Sequence, residues 1–418
     1  LPVEHLPYNE PLLEWLRAEK ARGRKIILAT AAHHSQADRI ARHLELFDAV
    51  LASHDGHNNK GDAKLSEIRR FQSDEPFAYA GDSDADRPLW RAAQSGIFVD
   101  APKAAIEEAR ARGAVEQVFT TRQNTPKEIL RAMRVHQWAK NALLFVPLLT
   151  AHLYGSLSAV VATLLGVLAF GFCASAIYII NDLSDLSADR QHPRKRRRPF
   201  AAGSLPIEIG LVLAPGLLVL AFAIAIPLLP LAFTGVLFGY LVTTTLYTFV
   251  LKRIAVLDVL TLAGLYTVRI VAGAAAVAVA PSFWLLALSL FLFTSLAFAK
   301  RYTELVTLAD ADGSKLAGRG YSAVDIETTF TIGTVAGLIS VLVMALFINS
   351  PDVSQHYATP EFLWALCPAL LYWVARVWTL ARRGEMHDDP VVFALRDRPS
   401  IATGAVCALF LAAARFGI

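Results

Sequence analysis

Residues 177–199 read IYIINDLSDLSADRQHPRKRRRP, and the reading of this stretch decides the fold. It opens as the end of a long apolar run, passes through N-D-x-x-D-x-x-x-D, and closes on a run of cations. At about 100° per residue, Asn181, Asp185 and Asp189 share a narrow helical stripe, with Asp182 beside it. Carboxylates crowded on one helix face repel each other strongly where solvent is scarce. A divalent cation removes that penalty, and hard oxygen ligands suit magnesium, which is usually shared with substrate phosphates. A solvated acidic helix end is the plainer alternative. The place at the end of an apolar run speaks against it, since ionisable residues there are functional by default.

Outward from this stretch the chain divides by hydropathy. Its 418 residues are 55% hydrophobic with a mean hydropathy of +0.42, too apolar for an ordinary soluble protein. From Leu1 to about Arg134 charged residues recur every few positions and no long apolar run occurs. Beyond Ala139, runs long enough to cross a bilayer alternate with short charged loops. Spans are expected near 139–153, 158–181, 207–227, 229–250, 256–279, 282–300, 327–349, 360–380 and 400–417, about nine, the first short and partly interfacial. The architecture expected is a soluble α/β domain (1–120), a linker and amphipathic lead-in (121–138), and an all-α polytopic membrane bundle (139–418).

Loop charge gives an orientation. Arg190 and Arg194 to Arg198, with Lys195 among them, follow the second span; Lys252 and Arg253, then Arg301, Lys315 and Arg319, then Arg382, Arg383, Arg396 and Arg398 lie on the same side. The opposite loops, near 154–157, 228, 281 and 350–359, hold no Lys or Arg. The positive-inside rule therefore places the charged loops and the N-terminal domain in the cytoplasm, at the inner membrane. An anchor to anionic membrane lipids accounts for residues 194–198. Cys173, Cys367 and Cys407 all lie in apolar runs, which argues against disulfides and a Cys metal site. The opening LPVEHLPYNEPLLEW lacks the basic start and apolar core of a signal peptide. No nucleic-acid module is present, so no nucleic-acid partner is expected; self-association into a homo-oligomer is left open.

Further polar residues gather on the charged side. Asp258 lies in YTFVLKRIAVLDVLTLAGLYTVRIVAGA, and Arg269, eleven residues later, falls within about 20° of it around a helix. An arginine at that depth costs roughly 2.5–3.5 kcal/mol unless an anion or a polar cavity receives it; Asp258 is one partner within reach. Gln137, Lys140 and Asn141 stand in RVHQWAKN, Tyr247, Lys252 and Arg253 after the fourth span, Lys300, Arg301 and Glu304 in FAKRYTEL, and Arg319 and Tyr321 in GRGYS. Singly each reads as an interface anchor. Together they describe a cavity with one acidic wall and several basic ones.

From about Pro126 onward the sequence resembles the UbiA-type intramembrane prenyltransferase superfamily, whose N-D-x-x-D-x-x-x-D signature stands intact at 181–189. The resemblance implies that these residues bind the magnesium-complexed diphosphate of a donor. Members that transfer prenyl groups carry a second motif, D-x-x-x-D; here Asp258 is present but Leu262 stands four residues on. RVHQWAKN, YTFVLKR with LDVL and LYTVRIVAGA, and AKRYTEL look like the decaprenyl-phosphate phosphoribosyltransferase branch. That likeness implies transfer of 5-phosphoribosyl from phosphoribosyl pyrophosphate to a polyprenyl phosphate, with release of pyrophosphate. Asp182, Asp185 and Asp189, with Asn181, would hold Mg2+; Asp258 would orient the ribose or share the metal. Lys140, Lys252 and Lys300 would hold the donor's phosphates, and Arg269 and Arg319 the lipid phosphate. Two other classes compete: prenyl transfer to an aromatic or polar acceptor, which an intact second motif would favour, and a non-enzymatic lipid transporter or scaffold, which would need polar residues from face to face.

Residues 25–100 read as alternating strands and helices, with polar residues at strand ends where phosphate sites form. They resemble the haloacid-dehalogenase-like phosphatases. Thr30 matches the phosphate-binding residue, Lys60 the lysine with Lys64 as the alternative, and Asp82 and Asp86 in GDSDAD the magnesium-binding acidic motif. The nucleophile motif D-x-D-G-T/V is absent, and Asp55-Gly56 does not replace it, so no phosphoaspartate is expected and the domain reads as inactive.

Overall fold

A computed structural model describes residues 3–417 apart from 74, 121–124, 193, 311–318, 352, 354–356 and 387–389. Lys315 and the first four residues of the expected linker lie outside the described residues. The chain forms two compact units, Leu1–Ala132 with Asp182–Gly210, and Met133–Asn181 with Leu211–Ile418.

The first unit is built from β–α repeats. Strands β1 (Ile27–His33), β2 (Ala49–Ser53), β3 (Ala78–Gly81), β4 (Ser95–Val99) and β5 (Val115–Phe119) alternate with helices α1 (Glu10–Ala21), α2 (His34–Leu44), α3 (Asp62–Gln72), α4 (Arg87–Ala92), α5 (Lys103–Ala111) and α6 (Thr125–Ala132). All pairings are parallel: β1 with β2, Ile27 opposite Ala49, and β3–β4–β5, Ala78 opposite Ser95 and Gly96 opposite Val115. Parallel strands need helical crossovers, and the amphipathic helices supply them. Leu51, Ile68, Leu89, Trp90 and Phe98 form the core against Ala105 and Ala109. Asn9 starts α1 by accepting the Leu12 N–H at 3.1 Å, an N-cap.

The second unit is helical. A 3₁₀ helix, Val135–Leu144, runs into α7 (Phe145–Thr150) and is followed by α8 (Leu157–Ser184). After α9 (Leu186–Gln191), which belongs to the first unit, come α10 (Ile207–Leu228), α11 (Leu231–Phe249), α12 (Leu257–Ala276), α13 (Phe283–Asp310), α14 (Ile326–Ile348), α15 (Leu366–Arg382), α16 (Pro390–Arg396) and α17 (Arg398–Phe416). Among the described residues eight helical segments are long and apolar enough to cross a bilayer. They stay apolar on the outside: Leu211, Val212 and Val219 of α10 are 63%, 74% and 68% exposed within the protein, as lipid-facing side chains are.

The expected first span near 139–153 is the exception. It is split between a ten-residue 3₁₀ helix and the six-residue α7, so no single helix there has span length. At about 2.0 Å per 3₁₀ residue and 1.5 Å per α residue, the two end to end still cover roughly 29 Å. This stretch packs on α12, where Gly273 meets the Leu144 carbonyl so closely that a Cβ would lie 2.2 Å from its oxygen. Only glycine allows that approach. Small buried residues (Ala263, Ala272, Ala274, Ala276) make α12 the element around which neighbours close.

Candidate active site

The acidic stretch begins on α8, which carries Asn181 and Asp182, and continues through Asp185, where the chain turns, into α9 with Asp189. Asp182 and Asp189 are each 2% exposed. Both point at one cation: Arg198 Nη1 donates to Asp182 Oδ1 at 2.9 Å and to Asp189 Oδ2 at 2.5 Å. Burial pushes the Asp189 carboxyl above its ordinary range, and Arg198 only partly offsets this. Asp185 is half-buried at the start of α9. Among the described residues no three His, Cys, Asp or Glu side chains converge as a metal cluster. The pair Asp182–Asp189 does converge, and magnesium is commonly held by one or two carboxylates plus substrate phosphates. The donor set therefore fits that ion.

The same unit shows how Arg198 is held in place. Arg131 of α6 donates from Nη2 to the Arg197 carbonyl at 3.1 Å, and Ser204 donates to Glu128 Oε2 at 2.7 Å. Glu128 is fully buried and accepts from Arg131 Nη1 at 2.7 and 3.0 Å. Arg198 was expected among the lipid-anchoring cations. Residues 194–197 are exposed, as that reading requires, but Arg198 is turned inward to the carboxylates. Neither helical periodicity nor local composition marks Arg198, Glu128 or Ser204; the clue in the sequence is only that the basic run ends at Pro199.

Within the bundle, Asp258 is fully buried on the first turn of α12. Arg301 Nη2 lies 2.8 Å from its Oδ2, Arg319 Nη1 3.3 Å from the same oxygen, and Tyr321 Oη donates to its Oδ1 at 2.9 Å. Both oxygens are thus engaged by side chains of the protein. Arg301, itself fully buried, also bonds Glu304, and Arg319 donates to Tyr247 Oη at 2.7 Å. Tyr321 Oη in turn accepts the Val256 N–H at 2.7 Å. Val256 sits at φ +64, rare for a β-branched residue, in a turn closed by Leu257 N–H to the Ala255 carbonyl at 2.7 Å. Gly320 packs on this turn; a Cβ there would lie 2.5 Å from the Arg253 oxygen. Asp258 is therefore an anchor for two arginines and a tyrosine, which between them contact both of its oxygens.

Arg269 does not pair with Asp258. It is 5% exposed, donates to Leu265 O, to Asn141 Oδ1 at 3.2 Å and to Tyr240 Oη at 3.1 Å, and lies within 6 Å of the ring centroids of Phe170, Tyr240 and Tyr266. Neutral acceptors and ring faces receive this charge. These contacts tie the 3₁₀ helix to α11 and α12. Sequence spacing puts Arg269 on the Asp258 face, but a separation of eleven positions sets the two apart along the helix. Lys140 is buried beside the Tyr266 ring at 5.5 Å, in the same cluster as Asn141. Gln137, Lys252, Lys300 and Glu304 are half-buried and Arg253 is exposed.

In the β–α unit, Thr30 lies in the middle of β1, which runs on to His33, and its Oγ1 accepts the Ala32 N–H at 3.1 Å. The lysine beside the acidic motif is Lys64, not the exposed Lys60: its Nζ lies 3.0 Å from Tyr79 Oη and 3.5 Å from Asp86 Oδ1. Asp86 also accepts from Tyr79 Oη at 2.9 Å and from the N–H groups of Asp82 and Ser83 at 3.2 Å. Burial opposes its charge, yet these donors hold its carboxyl below the ordinary range. Asp82 is exposed at the loop tip.

Residues 142–396 match the UbiA prenyltransferase family. The chain belongs to that family. It is an integral membrane protein of a transferase family, and residues 3–91 match haloacid dehalogenase-like hydrolases. An uncharacterized protein of Sinorhizobium fredii, y4nM, is 38% identical over 405 residues, 96% of this chain and 78% of its own length. A decaprenyl-phosphate phosphoribosyltransferase of Mycobacterium tuberculosis is 31% identical over 280 residues, 65% of this chain and 88% of its own. A UbiA homolog from Archaeoglobus fulgidus, solved with GPP and Mg2+, has the same bundle fold: TM-score 0.50 at 18% identity, over 68% of this chain and 97% of that one.

Proposed function

We propose that this UbiA-family member transfers 5-phosphoribosyl from phosphoribosyl pyrophosphate to a polyprenyl phosphate at the cytoplasmic face of the inner membrane. The observation that carries the reading is the state of Asp258. Both its oxygens are taken by Arg301, Arg319 and Tyr321, so the bundle offers cations where a prenyl-transferring site would offer a second acidic motif. Substrates with several separate phosphates suit that balance. The phosphoribosyltransferase relatives support it.

Asp182 and Asp189, with Asp185 and Asn181 alongside, would hold magnesium, which when bound draws charge from the departing pyrophosphate. The bundle's own residues do the rest. Lys140, Lys252 and Lys300 hold donor phosphates, and Arg319, oriented by Tyr247 and Asp258, meets the lipid phosphate. A lipid phosphate oxygen forms the bond to the anomeric carbon; the bond from that carbon to pyrophosphate breaks, and pyrophosphate leaves with the electron pair. The attacking oxygen is already anionic, so no general base is needed, and catalysis is positioning and charge neutralisation.

The test is to incubate purified protein with magnesium, polyprenyl phosphate and phosphoribosyl pyrophosphate labelled in the ribose, and to extract with organic solvent. Label in the organic phase is expected. Label entering lipid product only from a prenyl diphosphate given with an aromatic acceptor would replace this reading with prenyl transfer.

A further inference from the structure

We infer that Arg198 is a built-in counter-cation of the acidic stretch, one that a divalent metal displaces and that the donor's diphosphate then recaptures. The inference rests on the magnesium reading above and concerns how this chain's own residues prepare for that ion.

Three observations carry it. The first is the geometry of the contact. A guanidinium that exists to pair with carboxylate normally presents its fork, two parallel N–H groups to two oxygens of one partner. Here a single nitrogen, Nη1, lies between oxygens of two different aspartates, at 2.9 and 2.5 Å. That is the position of a bridging cation. The second is burial. Asp182 and Asp189 are almost completely withdrawn from solvent, and two ionised carboxylates so placed need a positive charge between them. Arg198 supplies it with a side chain that is itself 25% exposed, so its route outward is open.

The third is that the backbone is pinned while the side chain is not. The Arg198 N–H donates to Lys195 O at 2.9 Å, and its carbonyl accepts from Ala202 N–H at 2.8 Å. On either side Arg131 holds the Arg197 carbonyl at 3.1 Å, and the Leu205 N–H holds that of Pro199 at 3.2 Å. Exchange with a metal therefore asks only for a change of rotamer. An arginine released beside a metal-bound diphosphate has an obvious acceptor, since guanidinium pairs with phosphate oxygens bidentately. Metal and diphosphate would then bind cooperatively: the metal frees the arginine, and the diphosphate rewards its release.

The experiment uses the full chain in detergent micelles, with Mn2+ as the probe metal followed by electron paramagnetic resonance, and inorganic pyrophosphate as the probe anion. Arg198→Gln is expected to tighten Mn2+ binding roughly tenfold in the absence of pyrophosphate, because a competing charge-assisted contact is gone. It should also lose most of the tightening that pyrophosphate gives the unaltered protein. A wild-type measurement guards against a variant that fails to fold: arginine-selective dicarbonyl labelling at residue 198, read by peptide mass spectrometry, should rise on adding Mg2+ and fall again with pyrophosphate. Weaker or unchanged Mn2+ binding by Arg198→Gln, or labelling indifferent to Mg2+, overturns the inference while leaving magnesium binding in place. Failure of the unaltered chain to bind Mn2+ at all overturns the magnesium reading and this inference with it.

Discussion

Asp258 and Arg301 form an ion pair from which solvent is wholly excluded, the guanidinium Nη2 2.8 Å from the carboxylate Oδ2 and both side chains 0% exposed. Such a pair is weak evidence for stability as a whole, but removing one partner leaves the other buried charge with only Arg319 and Tyr321, or only Glu304, to meet it. Asp258→Asn and Arg301→Met should each destabilise the bundle by up to about 3–5 kcal/mol, whereas the two combined should cost clearly less than their sum. Thermal unfolding in micelles, arranged as a double-mutant cycle, measures this. Additive losses would show that the two side chains do not depend on each other.

The acidic stretch makes a different claim, on turnover rather than folding. Asp182→Asn and Asp189→Asn should each lower phosphoribosyl transfer by more than about 100-fold at saturating donor, since a metal-held leaving group accounts for several kcal/mol of barrier. Unfolding temperature should move little, because Arg198 keeps one carboxylate partner in either variant. A variant that retains near-normal turnover in magnesium would remove the assignment.

How much of this could be read in advance differs from part to part, for physical reasons. The long apolar helices and the N-D-x-x-D-x-x-x-D stripe were legible because each is local, a property of some twenty consecutive residues or of one helical repeat. For the segment 139–153 hydropathy gives the short length but carries no sign of 3₁₀ geometry, nor of the close packing of Leu144 on Gly273, far away in sequence. Helical angle makes Asp258 one partner within reach of Arg269, but angle says nothing about separation along the axis. Arg198, Glu128 and Ser204 were not legible at all, since what defines them is a contact 76 residues long between Glu128 and Ser204 and an inward turn at the end of a basic run.

In the β–α unit, the choice between two lysines is directly testable. Lys64 is buried against Tyr79 and Asp86, and its loss leaves a buried carboxylate with one donor fewer. Lys64→Ala should cost roughly 1–3 kcal/mol. Lys60→Ala, at an exposed position, should stay within about 0.5 kcal/mol. Chemical denaturation followed by hydrogen exchange of β3 and β4 separates the two, and equal effects would return Lys60 to consideration.

The proposed orientation can be checked with single cysteines in a background where Cys173, Cys367 and Cys407 are replaced. Ser354, in the loop expected outside, lies beyond the described residues, so Tyr154, 52% exposed, is the better outside position. Ser204 is engaged with Glu128, so exposed Arg253 and Arg383 serve for the inside. An impermeant thiol reagent on intact cells should label Tyr154→Cys alone. Labelling of Arg253→Cys or Arg383→Cys would invert the arrangement.

The last prediction concerns acid. Glu128 is buried, which by itself would raise its carboxyl, but Ser204 and Arg131 outweigh that and hold it below the ordinary glutamate value of 4.5. A folded-state value below the unfolded one means that the unfolded chain takes up a proton first as pH falls. The stabilisation from the Glu128 carboxylate is therefore complete above about pH 4.5 and is lost as pH drops through the folded value. Glu128→Gln keeps the shape and an acceptor for Ser204 but cannot titrate. The stability gap between the unaltered chain and this variant should be largest near neutral pH and narrow below pH 4.5, measured by unfolding across an acid series. Because Glu128 secures the Ser204 and Arg197 ends of the loop that carries Arg198, the variant should also disturb metal binding at every pH, most visibly as a loss of the tightening by pyrophosphate. A gap that stays constant through acid would mean that Glu128 is held by shape alone, and its link to the acidic stretch would fall.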